Sequence, residues 1–314
     1  MIPRDRRLPR DRTRRLGVTA RRIALVMVAL ASLVVLVVAL PMLASEDRPR
    51  GDYAPFGQCP LGNPATKLCL FTQTESGEFT VGAKAVPIGE TITLQGGVHV
   101  LENKEKEIVK EEFIGAKDGE TLSKTPQAVP GGLRRVVDPK LLSTGLRAML
   151  NELIDNGTAN VTATIELAAP ASAIGIDIQD LVEGEGAAMS LPVRMKLSNV
   201  FLGNDCYIGS RTQPISLSLT TGTTDPPKPN KPIKGKVGKA KLRDEYDLTT
   251  IKGSSLVNNS FRAPQAEGCG GIHASLIDPA VNAELGLPAA AGHNTAILNG
   301  TLRDANALAV KASE

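Results

Sequence analysis

Three stretches of the chain alternate apolar and polar residues with a period of two. In NVTATIELA (160–168) the apolar positions are Val161, Ala163, Ile165 and Leu167. MSLPVRMKL (189–197) repeats the device with Met189, Leu191, Val193, Met195 and Leu197. PISLSLTTGTT (214–224) does so with Ile215, Leu217 and Leu219. A period of two puts each set on one face of a strand. Clean alternation means antiparallel sheet with one face buried. Upstream, LCLFTQT (68–74), GEFTVG (77–82) and ETITLQGGVHVL (90–101) read as further strands. The acidic and basic run ENKEKEIVKEEF (102–113) reads as a solvated hairpin arm or a short helix.

A helical period appears between these strands. Leu141, Leu142, Leu146, Met149, Leu150, Leu153 and Ile154 recur at 3.6-residue spacing, with Pro139 before them and Asn156–Gly157 as a stop. Just ahead, TPQAVPGGL (125–133) is a Pro/Gly break and the best candidate for an internal boundary. DPPKPNKP (225–232) reads as a rigid, extended loop. The last third mixes short strands with one short helix over residues 279–285. The expected fold is therefore mainly β, antiparallel sheets in a sandwich- or barrel-like arrangement, with one substantial soluble helix.

One apolar run stands apart. IALVMVALASLVVLVVALPML (23–43) holds 21 residues without a charge, enough at 1.5 Å per residue to cross a hydrocarbon core of about 30 Å. The 22 residues before it carry nine Arg and two Asp, which places them in the cytoplasm and everything after residue 43 outside. A cleaved signal peptide is the rival reading. Its apolar core is about 7–15 residues, with small residues at −3 and −1. Cleavage after Ala44 would set Met42 at −3, a poor fit. The expected order is an Arg-rich cytoplasmic tail (1–22), a transmembrane anchor or signal peptide (23–43), a linker (44–56) and an extracytoplasmic body (57–314). The body has a possible sub-boundary near 125–133.

Composition sharpens this. Residues 1–50 hold eleven Arg and four acids, whereas the rest holds 25 Lys plus Arg against 29 Asp plus Glu. The basic balance belongs to the tail, so a nucleic-acid partner is not expected. Aromatic residues make up 3% of the chain and Trp is absent. The core must come from Val, Ile, Leu and Ala, and a sugar-stacking site is disfavoured. Within the body, KPNKPIKGKVGKAKLR (228–243) holds Lys228, Lys231, Lys234, Lys236, Lys239, Lys241 and Arg243 with no acid. Such a run is either a solvated loop or a contact for an anionic envelope polymer or lipid.

The four cysteines are Cys59, Cys69, Cys206 and Cys269. Outside the membrane, disulfides persist. Four cysteines allow three pairings. Cys59–Cys69 and Cys206–Cys269 are the expected ones, because the first pair encloses a tight turn with Pro60, Gly62 and Pro64. No CxxC spacing is present. CGGIH sets Cys269 and His273 four apart without a second pair, so neither a metal nor a cofactor is expected. A nucleophile-elbow motif is missing too, and no catalytic residue stands out.

Several phrases occur together: CPLGNPATKLCLFTQTESGEFTVGAKAVPIGETITLQGG, VPGGL, CYIGSRTQPISLSLTTGTTDPPKPNKPIKG and LGLPAAAGHNTAILNGTL. In these the chain resembles a group of secreted or membrane-anchored actinobacterial proteins without an assigned activity. The resemblance implies an extracytoplasmic bacterial protein and carries no catalytic residue with it. The expected function is a membrane-anchored envelope protein, a non-enzymatic binding or structural module. The alternatives are a carrier for a lipid or other apolar ligand and an extracellular hydrolase.

Overall fold

The structure is a computed structural model, and it describes residues 48–103, 108–132, 160–243 and 247–314. The tail, the apolar run 23–43 and the helix expected over 141–154 lie outside the described residues. Residues from Arg48 onward form one compact unit.

The first strands are β1 (Leu68–Val81), β2 (Lys84–Pro87), β3 (Ile92–Asn103), β4 (Ile108–Gly115) and β5 (Gln127–Ala128). Then come β6 (Thr162–Leu167), β7 (Gly175–Ile176), helix α1 (Ile178–Glu183), β8 (Met189–Ser198), β9 (Tyr207–Ile208) and β10 (Ile215–Leu219). The chain closes with β11 (Lys239–Arg243), β12 (Leu248–Asn258), β13 (Ala266–Glu267), α2 (Ala274–Leu285), β14 (Thr295–Asn306) and α3 (Ala307–Ala312).

The described strands form two antiparallel sheets. The first runs β11-β12-β14-β1-β3-β4, with β2 beside β1. The second runs β13-β9-β8-β6-β5, with β10 and β7 also on β8. Both contribute to one apolar cluster: Leu70, Phe79, Leu94 and Val98 from the first sheet meet Ile165, Leu191, Val193 and Leu217 from the second. All five apolar positions named above in β8 are buried and the residues between them are not, as the alternation requires. In β6, Ala163 and Ile165 are buried and Leu167 is partly buried.

Several expectations need correction. LCLFTQT and GEFTVG are one strand, not two. β1 runs 14 residues through a bulge between Thr74 and Ser76. β12 carries a second bulge between Lys252 and Ser254, where Gly253 takes φ +67. Both bulges abut Gly300 of β14, which pairs with Thr74 on one side and Ser254 on the other. A Cβ at Gly300 would collide with the carbonyl oxygen of Gln73. Bulges bend and coil a sheet, and two aligned across a glycine bend three neighbouring strands at one line.

ENKEKEIVKEEF belongs to the hairpin of its two readings, since β4 pairs with β3 from Gly96↔Gly115 to Asn103↔Ile108. The helix expected at 279–285 begins earlier, at Ala274, and tolerates Pro279 inside. Within the expected linker, Gly51–Phe56 is a 3-10 helix with Phe56 buried. A second apolar cluster on the outer face of the first sheet joins Phe56, Cys59 and Cys69 to Leu248, Ala305 and the α3 residues Ala307 and Val310.

Candidate functional site

KPNKPIKGKVGKAKLR is not a free loop throughout. Its last five residues are β11, the edge strand of the first sheet, exposed on both faces. Such a strand shows no apolar alternation, because it has no buried side. Lysine on an edge strand also discourages pairing with other chains. The segment just before it follows the same edge: Lys236 bridges Ser255, ahead of Lys239↔Lys252 and Arg243↔Leu248. From Lys236 to Arg243 this line is about 23 Å long.

All seven cations are exposed. Lys239, Lys241 and Arg243 share one face of the sheet, spaced about 7 Å apart. The register sets Lys252 beside Lys239, and Arg303 beyond Thr250 in the row of Lys241. This face is the outer one, since Leu248 and Ala305 of the second apolar cluster lie on it. Arg243 pairs with Asp52. The six lysines make no ion pair or side-chain hydrogen bond among the described residues. Lys228 and Lys231 sit in a loop held rigidly by asparagines. Asn230 donates to the carbonyls of Asn259 and Asn294 at 3.0 and 2.9 Å, and Asn259 donates to that of Lys231 at 2.8 Å. Fully buried Asn294 in turn donates to Phe261 and accepts from the N–H of Gly82. The arrangement presents a fixed row of positive charge along one edge of the body.

The four cysteines are bonded Cys59–Cys69 and Cys206–Cys269, separated in sequence by 10 and 63 residues. The first fastens the N-terminal turn to the start of β1. The second fastens the turn before β9 to the segment before α2. Two disulfides and no free thiol belong to an oxidising, extracytoplasmic compartment.

Between the sheets lies a cavity of about 50 Å³. Thr72, Thr74, Phe79, Met189, Leu217 and Leu256 are among its lining residues. Apolar cavities of about 150 Å³ take one benzene-sized molecule, so this one, as formed, is too small for an acyl chain. The histidines are dispersed: His99 lies on β3 beside Glu112 at 3.8 Å, His273 starts α2 and His293 is in the loop before β14. Among the described residues, no three His, Cys, Asp or Glu side chains gather as metal ligands.

Two features escaped sequence reasoning. Asp304 on β14 lies next to Leu70 on the inner face, where burial pushes its carboxyl up to about 6 against a hydrogen bond from Thr249. On the outer face of the second sheet, Arg194 donates to Glu166 at 2.8 Å and stacks 4.0 Å from the ring centre of Tyr207. Only the pairing Glu166↔Arg194 across β6 and β8 brings them together, and one sequence cannot show a pairing.

The fold and the disulfides define an extracytoplasmic, β-rich module with a basic edge. No protein family, curated protein or solved structure matches the chain. Among the described residues, no helix is long and apolar enough to cross a membrane.

Proposed function

We propose that the protein is a membrane-anchored envelope protein of the actinobacterial kind its sequence resembles. Residues 23–43 hold it in the membrane, and its body is a non-enzymatic binding module for an anionic envelope polymer. The observation that carries this reading is the row of exposed cations along the β11 edge. The body as a whole is slightly acidic, so that row is a local concentration of positive charge against the general trend. A straight line of charge about 23 Å long suits an extended polyanion better than a single headgroup.

The test compares the protein with a variant in which Lys234, Lys236, Lys239 and Lys241 are all Gln. Retention on isolated cell wall carrying its anionic polymers should fall at low salt, and the difference should close as salt is raised. Equal retention of the two proteins at low salt sinks the reading. A loss seen only on anionic lipid vesicles transfers the site to the membrane surface.

A further inference from the structure

The positive charge of the β11 edge continues inward across the outer face of the first sheet. The register sets Lys239 directly opposite Lys252, and the next row reads Lys241, Thr250 and Arg303. Directly opposite side chains in a sheet lie about 5 Å apart at Cβ, and diagonal ones about 7–8 Å. Lys252 therefore stands within about 8 Å of Lys239, Lys241 and Arg303 at once. Like charges placed opposite one another destabilise a sheet, and among the described residues no acid offsets these. None of the four makes an ion pair or side-chain hydrogen bond there. Asp52 is taken by Arg243, and Glu75 accepts from the Thr301 hydroxyl at 3.0 Å. Arg303 is half-buried, and its Nε is shielded from water with no acceptor. Such a shielded donor carries a desolvation cost until a ligand supplies an acceptor. The 3-10 helix Gly51–Phe56 bounds this ground at one end. Its Asp52 reaches Arg243, and its Tyr53 and Phe56 pack in the second apolar cluster with Phe71, the β1 neighbour of Arg303.

We infer that Lys239, Lys241, Lys252, Arg303 and the Thr250 hydroxyl form one subsite, and that it takes a phosphate group. The inference rests on the reading above, that the body binds an anionic envelope polymer, and it names that polymer's charged group. Charge is the first reason. A carboxylate brings a single negative charge to this crowd of cations, whereas a terminal phosphate brings about 1.5 to 2 and three acceptor oxygens. Geometry is the second. The donors stand on three adjacent strands, β11, β12 and β14. The two oxygens of a carboxylate lie in one plane and suit a single guanidinium fork. The oxygens of a phosphate are tetrahedral and can accept from all three strands together. In this arrangement Arg303 supplies a fork of parallel N–H groups from the side of β14. Thr250 supplies an O–H from the floor. The lysines are mobile point charges that close on the group from the edge. Beyond the subsite, Lys236 carries the line of charge further along the same edge, so a polymer can leave in that direction.

The experiment uses the full-length protein in detergent, with labelled inorganic polyphosphate and labelled polygalacturonate as probes at low salt. The natural protein should bind the phosphate polymer about tenfold more tightly than the carboxylate polymer. Lys252→Gln and Arg303→Gln should each weaken polyphosphate binding about tenfold and remove the preference. Arg303→Lys keeps the charge and loses the fork, so it should recover only part. Lys228→Gln, exposed in the basic stretch but off this face, should change binding less than about twofold. Lys252→Gln also removes a like-charge pair, so its melting temperature without any anion should not fall. Equal losses at Lys228→Gln and Lys252→Gln overturn the proposal, as does equal affinity for the two polymers. Either result leaves the broader reading standing if the four-lysine variant still loses the cell wall. Equal wall retention by that variant, with the polyphosphate preference intact in the natural protein, sinks the broader reading and supports the subsite. Displacement of polyphosphate by phosphatidylglycerol vesicles at equal phosphate assigns the group to a lipid and overturns the polymer assignment.

Discussion

The carboxylate of Glu111, on β4 of the first sheet, accepts the backbone N–H of Ile178 at 3.0 Å. Ile178 is the first residue of α1, which leads into β8 of the second sheet. One side chain therefore supplies a helix cap from across the sandwich, while Asp177 caps Asp180 locally at 2.8 Å. Burial raises the Glu111 pKa against that hydrogen bond, and the nearby Asp177 raises it further. Glu111→Ala should lower stability by about 1 kcal/mol, the usual cost of a lost cap. Glu111→Gln keeps an acceptor oxygen and should recover most of it. Urea midpoints of the three proteins at pH 7 check this, and equal loss in Ala and Gln would count against a capping role.

Asp304 sets a pH dependence with a definite sign. Its folded pKa of about 6 lies above the ordinary 3.8, so the folded state favours the protonated form. The stability this contributes is complete below about pH 4 and is lost as pH rises through 6. The shift corresponds to about 2–3 kcal/mol. Asp304→Asn should therefore be more stable than the natural protein at pH 8 and lack this part of the slope between pH 4 and 7. Thermal melts across that range measure it, and parallel curves for the two proteins would refute it.

The disulfides should differ in weight. Loop closure over 63 residues constrains the unfolded chain by about 4 kcal/mol, and closure over 10 residues by about 3 kcal/mol. Replacing Cys206 and Cys269 together by Ser should thus cost more than replacing Cys59 and Cys69. Denaturant titrations of both double variants give the order. The larger loss should come with loss of order in the turn before α2.

Gly300→Ala tests the aligned bulges. The added methyl meets the Gln73 carbonyl in the middle of the first sheet, and the atoms it meets are backbone of β1. A loss of more than about 2 kcal/mol is expected, well beyond the gain of up to about 1 kcal/mol that Gly to Ala brings at permissive sites. A neutral result by chemical denaturation would show that the bulge line is soft.

Much of the second sheet was legible because its strands have one wet face. β8 and β10 carry their burial pattern letter by letter, and Leu219 is fully buried where the alternation put it. The first sheet hid more. LCLFTQT and GEFTVG read as separate strands but join through a bulge at Glu75 into one β1, because small and polar residues suit a break or a bulge and the difference is set by β14. β11 was legible only as charge, since an edge strand without a buried face has no period to read. The first turn of α2 stayed hidden because the sequence reading began that helix at residue 279, past its start at Ala274, and so left exposed Leu276 outside it.

The position of β1 has a mechanical meaning. Its first half is paired with β14 on one side and β3 on the other, and Glu78, Phe79 and Thr80 near its end with β14 and β2. A pull between the N-terminal turn and α2 acts along this strand. It loads the ladder bonds together in shear, and they must fail together. A pull between Leu68 and Asn306, which face each other in register, opens the same ladder one pair at a time. The body is thus built to resist tension applied at its far end and to peel under tension at its C-terminus.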